Sequence, residues 1–237
     1  MKFLLAAFAA FAAGCGTAPA PAPAPSAEPG ACTLVLLRTG PRREPLSEAE
    51  SKQVFGGHMG NMERLARERH LLVAGPYGKE KSDPLLRGLF VFATADRERA
   101  RELAETDPGF QAGVFAFDYH TLVTAAPLRA CLEAELLAMD EAARQQRARK
   151  PGEGLRGYVL ATIEDGAAAR AALAELPGVL WFAELDGTRA FVLLDATTRA
   201  AARTMLEPAA ERLGAVRLDE WFATSRLADL PSMQRGD

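Results

Sequence analysis

The sequence of 237 residues has few of the residue types from which active sites are most often built. It contains three histidines and three cysteines, and His70 and His120 lack the spacing to cysteine or carboxylate that metal sites use. No glycine-rich phosphate loop follows a predicted strand, and no serine lies in a nucleophile-elbow context. The sequence therefore gives no sign of a metal ion, a nucleotide or a serine nucleophile, and we expect no cofactor.

Long hydrophobic runs and an excess of one charge are also missing from most of the chain. The net charge is -3 and no basic stripe is present, so nothing argues for nucleic-acid binding. After the first residues, no apolar run is long enough to span a bilayer. With 49% hydrophobic and 25% charged residues, the remainder is typical of a globular protein of one or two domains.

The N-terminus has a different composition from the rest of the chain. Lys2 precedes residues 3–13, which are almost all Leu, Ala and Phe; this stretch is too short for a spanning helix and typical of a signal peptide. It ends in Ala-Ala-Gly before Cys15, and small residues before a cysteine resemble the lipobox of bacterial lipoproteins. That resemblance implies removal of residues 1–14, acylation of Cys15 and a membrane anchor on the periplasmic side of the bacterial cell envelope. The alternative is ordinary signal cleavage, with Cys15 an incidental residue.

Residues 15–30 and the two remaining cysteines indicate where the folded part begins and how it could be cross-linked. Residues 15–30 are rich in Ala and Pro, which predicts an extended tether rather than a packed segment. Cys32 opens the first predicted strand, and Cys131 follows the last strand of the first domain. An exported chain reaches a disulfide-permissive compartment, and antiparallel neighbours would bring these two ends together, so we predict a Cys32–Cys131 disulfide. The alternative is two unpaired thiols too far apart for a bridge.

Hydrophobic patterns and breaker residues predict two α+β domains joined by a helical linker. In the first domain, Ser47 and Glu50 form a capping box that begins a helix, and Gly56-Gly57 is expected to interrupt it. Asp107-Pro108-Gly109 ends the second helical region. The predicted segments are a first domain at 31–127 with strands at 33–38, 71–74, 88–93 and 114–123, a helical linker at 128–153, a second domain at 154–228 and a tail at 229–237.

The second domain repeats the βαββαβ order of the first, which we interpret as an internal duplication. Asp186-Gly187 predicts a two-residue hairpin turn. A helix over 197–213 is expected to kink or split at Pro208 and to end at Gly214. The predicted strands are 157–163, 179–184, 189–194 and 216–223.

Both domains therefore have the ferredoxin-like split βαβ pattern, with an antiparallel sheet and both helices on one face. The free face of such a sheet should alternate towards polar residues, but the strands at 34–37, 89–92 and 191–194 are apolar at consecutive positions. Both faces of each sheet are therefore expected to be covered. We predict that the two domains stack sheet to sheet as an intrachain pseudo-dimer. The alternative is that each pairs with another chain as a homodimer.

The first domain resembles the YCII (YciI-like) family over residues 32–124. The resemblance rests on Arg38 with Gly40-Pro41, a histidine at His58, Ala74-Gly75-Pro76, Asp83 in the following loop, and Asp107-Pro108. It implies a dimeric α+β barrel fold and a histidine–aspartate active site, with lyase or dehydrochlorinase activity in some relatives.

Carried over to this chain, the resemblance implies His58 and Asp83 as the catalytic pair. The residues themselves add two candidates for substrate binding, Arg38 for an anionic group and Asp107 in the wall of the site. His58 shares a helix face with apolar residues three and four positions away and should point towards the sheet. The second domain has no histidine, and Asp186 stands near the aspartate position without a partner, so this domain is expected to be a degenerate copy.

Three functions remain open at the level of the sequence. His58, oriented by Asp83, would act as general acid or base of a cofactor-independent lyase or isomerase on a small molecule. Alternatively, the same region binds a small molecule without catalysis, or the protein is a structural or interaction module in which the site is vestigial.

Overall fold

The computed structural model describes residues 30–146 and 152–235. The predicted signal peptide, Cys15 and all but the last residue of the predicted tether lie outside these ranges. Within them, no helix has the length and apolar character needed to cross a membrane.

The first unit, comprising β1 to β4, follows the predicted βαββαβ order with one short additional helix. Ser47 accepts a hydrogen bond from the Glu50 N–H, and the Glu50 carboxylate accepts one from the Ser47 N–H, so the predicted capping box begins α1. The Asp96 carboxylate caps α2 by accepting hydrogen bonds from the N–H groups of Glu98 and Arg99. The elements are β1 (Ala31–Thr39), α1 (Glu48–Arg67), β2 (Leu71–Pro76), β3 (Leu86–Phe92), α2 (Arg97–Ala104), α3 (Pro108–Gln111) and β4 (Phe115–Thr124).

The predicted interruption of the first helix at Gly56-Gly57 is wrong, because α1 continues through both glycines. A Cβ at Gly57 would lie 2.9 Å from Cγ of Pro108, so this glycine allows α1 to pack closely against α3. The local cost of glycine in a helix is about 1 kcal/mol, and tertiary packing of this kind readily offsets it.

The second unit, comprising β5 to β8, has the same order of strands and helices. The turn between β6 and β7 places Asp186 and Gly187 at φ 52° and 76°, as the hairpin signal predicts. Pro208 splits the long predicted helix through a 3-10 turn, and Gly214 follows its end at φ 62°. The elements are β5 (Leu155–Ile163), α5 (Gly166–Leu173), β6 (Val179–Leu185), β7 (Arg189–Leu194), α6 (Arg199–Leu206), α7 (Ala210–Leu213) and β8 (Val216–Thr224).

The eight strands form one sheet in the order β2-β3-β1-β4-β6-β7-β5-β8. Each unit therefore has the same internal strand order, and β4 joins them by pairing antiparallel with β6. The outer edges also meet: a bridge links Tyr77 to Trp221, and the Trp221 indole N–H donates to the Gly75 carbonyl at 3.0 Å. The two units share a continuous, curled sheet, an edge-to-edge connection that the prediction of two stacked sheets did not include.

Three apolar cores occupy the two faces of this sheet. The largest lies on the inner face, where residues of both units meet; it includes Leu34, Leu89, Leu160, Trp181 and Trp221, all at most 2% exposed. The other two lie on the outer face, each between the strands of one unit and its own helices. Both faces of the apolar strands are thus buried, as their consecutive apolar residues predict.

The predicted linker and tail are part of the inner core. Helix α4 (Leu128–Arg144) packs Leu132 and Leu136 into it. A 3-10 turn (Ser225–Asp229) and helix α8 (Leu230–Arg235) follow β8, and Leu230 is fully buried. Helix α4 thus occupies most of the predicted helical linker and α8 most of the predicted tail, and their apolar residues close the inner face of the sheet.

The predicted Cys32–Cys131 disulfide is not formed: both cysteines are free and buried. Cys131 lies beyond the last strand of the first unit, as predicted, but in the first turn of α4 it packs in the inner core without bonding to Cys32. Burial raises the pKa of Cys32 to about 11 and that of Cys131 to about 12, so both thiols are protonated at neutral pH.

Candidate functional site

His58 lies in the middle of α1 and points towards the sheet, as its helix face predicts. Its ring stacks on Phe90 of β3 with centroids 6.0 Å apart and contacts Phe115 of β4 at 5.3 Å. Only 13% of the side chain is exposed. The imidazole therefore sits between α1 and an aromatic wall on the outer face of the sheet.

The hydrogen-bond partner of His58 is Asp107, at 2.6 Å between Nδ1 and Oδ2. Asp107 is fully buried and caps α3, where its other oxygen, Oδ1, accepts from the N–H groups of Gly109 at 2.8 Å and Phe110 at 3.3 Å. These contacts hold the carboxylate in one orientation. The residue that the sequence offered for substrate binding is thus the partner of the histidine.

The geometry at His58 fixes which ring nitrogen is available. The Asp107 carboxylate can only accept a hydrogen bond, so Nδ1 must be the donor. A neutral imidazole therefore carries its proton on Nδ1, and the lone pair of Nε2 is free. Nε2 has no hydrogen-bond partner among the described residues. It is also not buried, since it is absent from the buried polar atoms that have no partner. Nε2 therefore reaches solvent and can accept or donate a proton.

The predicted pairing of His58 with Asp83 is wrong. Asp83 accepts a hydrogen bond from Arg38 at 2.7 Å and one from the Leu85 N–H at 2.8 Å. The hydrogen bond from the Leu85 N–H and the nearby Arg38 guanidinium both lower the pKa of the Asp83 carboxyl. On β1, Val35 and Leu37 pack in the outer-face core with the helices.

Because side chains alternate along a strand, Arg38 points to the inner face, where Leu34 lies in the core shared by the two units. The Arg38–Asp83 pair and the His58 ring are therefore on opposite faces of the sheet. Arg38 also lies 3.5 Å from Asp118 of β4, so it is held between two carboxylates.

A second histidine–aspartate pair joins the two units. Nδ1 of His120 in β4 lies 2.7 Å from Oδ2 of Asp186, which also accepts from Arg189 at 2.7 Å; Oδ1 accepts from the Thr121 N–H. Burial opposes ionisation, but these hydrogen bonds outweigh it and lower the pKa of Asp186. The expectation that Asp186 has no partner was wrong, because its partner belongs to the other unit, 66 residues away.

Comparison with protein families identifies the first unit. Residues 34–118 match the model of the YCII-related domain. The chain contains a YCII-related domain. The matched range begins in β1 and ends in β4, and it includes Arg38, His58, Asp83 and Asp107. The second unit lies outside this match, and neither the curated proteins nor the solved structures contain a match to the chain.

Two surface grooves lie away from the histidine of the YCII-related domain. The larger, of about 710 Å³, lies at the junction of the two units and is lined by Thr124, Arg129, Trp181 and others. The smaller, of about 500 Å³, lies beside the hairpin of the second unit. Neither His58 nor Asp107 lines either groove.

Proposed function

We propose that the YCII-related domain carries an acid–base site of lyase or isomerase type that acts on an unidentified small molecule. His58 transfers the proton through Nε2, and Asp107 orients the ring, taking the role that the sequence assigned to Asp83. The observation that supports this proposal is the 2.6 Å hydrogen bond between His58 and Asp107. Asp107 is fully buried and also accepts hydrogen bonds from two backbone N–H groups. No cofactor is required by this chemistry.

Asp107 and the aromatic neighbours of His58 have different roles in this site. Asp107 keeps the proton of a neutral imidazole on Nδ1 and stabilises the imidazolium once Nε2 has accepted a second proton. Phe90 stacks on the imidazole and Phe115 packs against it at a tilt, and together they fix the plane of the ring. Proton transfer by such a positioned side chain contributes about 10²–10⁴-fold to a rate.

The test is proton exchange in a panel of small carbonyl and chlorinated compounds in D₂O, followed by NMR with the purified protein. We expect exchange at one compound to be lost in His58→Gln and reduced in Asp107→Asn. His70→Gln is the matched control, since His70 lies outside the site. Exchange that persists in His58→Gln would contradict the proposal.

The alternative is a protein that binds a small molecule without catalysis, or a structural module. It is favoured by the position of His58 outside both grooves. Under this alternative, no compound of the panel exchanges, while Asp107→Asn still lowers stability because the carboxylate holds α1 and α3 together.

We further propose that the second unit is a degenerate duplicate of the first and that the chain is an intrachain pseudo-dimer. The support is the shared strand order of the two units and the lack of histidine beyond His120. Sedimentation of the protein should then give a monomer. A homodimer would support the alternative in which each unit pairs with a second chain.

Finally, we propose that the protein is an exported lipoprotein held to a membrane of the bacterial cell envelope through acylated Cys15. The support is the apolar stretch, the small residues before Cys15 and the Ala- and Pro-rich residues that follow. Cells fed a labelled fatty acid should incorporate the label, and Cys15→Ser should abolish labelling and release the protein from the membrane fraction. Unchanged membrane association of Cys15→Ser would contradict this proposal.

A further inference from the structure

We propose that the larger groove, at the junction of the two units, binds a single-chain amphiphile with an anionic head, such as a fatty-acid-like carboxylate. We call it the junction groove; it is bounded by the start of β1, the end of β4 with the first turn of α4, and the start of β6. Nothing in the acid–base site contributes to it, so this proposal is independent of the one for His58.

Apolar side chains form part of the walls of the junction groove. Leu72 and Trp181 lie there but are at most 8% exposed, whereas Val123 is 42% exposed, although it is a large hydrophobic residue. The indole N–H of Trp181 already donates to Thr124 Oγ1 at 2.7 Å. Val123 and the half-buried Phe182 therefore offer carbon surface to a ligand, which suits an alkyl chain.

The charged residues of the junction groove are all positive. Arg129 and Arg170 line it, and none of the other described lining residues is acidic. The Arg170 guanidinium stacks 4.5 Å from the Phe182 ring centroid, which holds it beside the apolar wall. No ion pair of either arginine to another described residue is present, so both charges are available to an anion.

This local charge is opposite to that of the whole protein, whose net charge is -3. Two arginines beside an apolar wall match the chemistry of a ligand with a negative head and a hydrocarbon tail, because guanidinium groups pair well with carboxylates. The volume of about 710 Å³ is within the range of about 300–1,000 Å³ found for small-molecule sites.

Binding of dodecanoate to the full-length protein, measured by titration calorimetry and Trp fluorescence, tests the proposal. We expect dodecanoate to bind one site, and dodecanol and dodecyltrimethylammonium to bind at least tenfold more weakly. In the double variant Arg129→Gln/Arg170→Gln, the Kd for dodecanoate should rise at least tenfold. Arg203→Gln, which changes an exposed helical arginine outside the groove, is the matched control and should leave the Kd unchanged.

A second variant tests the same groove independently, in case the double arginine variant does not fold. Val123→Glu places a carboxylate at an exposed position of the groove and should abolish dodecanoate binding while both arginines remain. Equal affinity for dodecanol and dodecanoate, or an unchanged Kd in the folded double variant, would overturn the proposal. Binding to anionic phospholipid vesicles without binding of dodecanoate would also overturn it, in favour of a membrane-facing surface. His58→Gln should bind dodecanoate with unchanged Kd. Dodecanoate binding therefore tests the groove whether or not the acid–base site is active.

Discussion

Replacing Asp107 separates its structural role from its role towards His58. Asp107→Ala removes the cap of α3 and leaves Nδ1 of the largely buried His58 without its acceptor. Loss of a helix cap costs about 1 kcal/mol, and a buried donor left unpaired costs about 1–3 kcal/mol. We therefore expect the free energy of unfolding to fall by roughly 2–4 kcal/mol.

Asp107→Asn should act differently, because the amide oxygen can still accept from Gly109 and Phe110 while the amide N–H₂ faces His58. An N–H donor at that position requires an unprotonated Nδ1, so the imidazole proton moves to Nε2. We expect a loss of only about 1 kcal/mol of stability but a change of tautomer, which removes the basic lone pair from the exposed nitrogen.

The assays are urea unfolding and ¹⁵N NMR of the three imidazoles, assigned with single His→Gln variants. Asp83→Asn is the matched control; since its side chain is 35% exposed and pairs with a partly exposed Arg38, it should cost below about 1 kcal/mol and leave the His58 tautomer unchanged. Destabilisation by Asp83→Asn as large as that by Asp107→Ala would contradict the structural role of Asp107, and a proton kept on Nδ1 in Asp107→Asn would contradict its role towards His58.

Three further predictions concern the cysteines, the joined edges of the sheet and the contact between the two units. In Cys15→Ser, denatured protein should titrate two thiols and native protein almost none at neutral pH, because burial keeps Cys32 and Cys131 protonated; no thiols after denaturation would show a disulfide. A Cβ at Gly75 would lie 1.9 Å from the Phe222 carbonyl oxygen, so Gly75→Ala should lower the melting temperature, and an unchanged value would show that β2 and β8 are not held together there. Because the pKa of Asp186 is lowered in the folded state, its contribution is present above the unfolded pKa of about 3.9 and is lost as pH falls through the folded pKa. The stability difference between the protein and Asp186→Asn should therefore shrink below about pH 4, and a difference that grows on acidification would contradict this sign.

Two histidine–aspartate pairs are present, and they differ in what they connect. The His58–Asp107 pair joins two helices of the YCII-related domain, whereas the His120–Asp186 pair joins that domain to the second unit. Only the first has a fully buried carboxylate, which is why we assign it the acid–base role.

Local sequence patterns determined most of the secondary structure. The capping box at Ser47, the hairpin at Asp186-Gly187 and the break at Pro208 act within a few residues, so their effects can be read without knowing the fold. The effect of Gly56-Gly57 was mispredicted, because the contact that favours glycine at Gly57 comes from Pro108, which is distant in sequence.

The candidate site was only partly accessible from the sequence. His58 and the two aspartates could be named as site residues from the resemblance to YCII proteins. Which aspartate meets the histidine depends on the face of the sheet to which each points and on the short helix that Asp107 caps.

Short-range periodicity, capping and turn chemistry specify the two βαββαβ units and their apolar strands, so these could be predicted from the sequence. That the units share one sheet, that α4 and α8 fill its inner face, that both cysteines stay free and that His58 pairs with Asp107 became clear only in the folded protein. Each of these outcomes depends on contacts between residues far apart in the chain, and on the face of the sheet to which alternation along a strand directs each side chain.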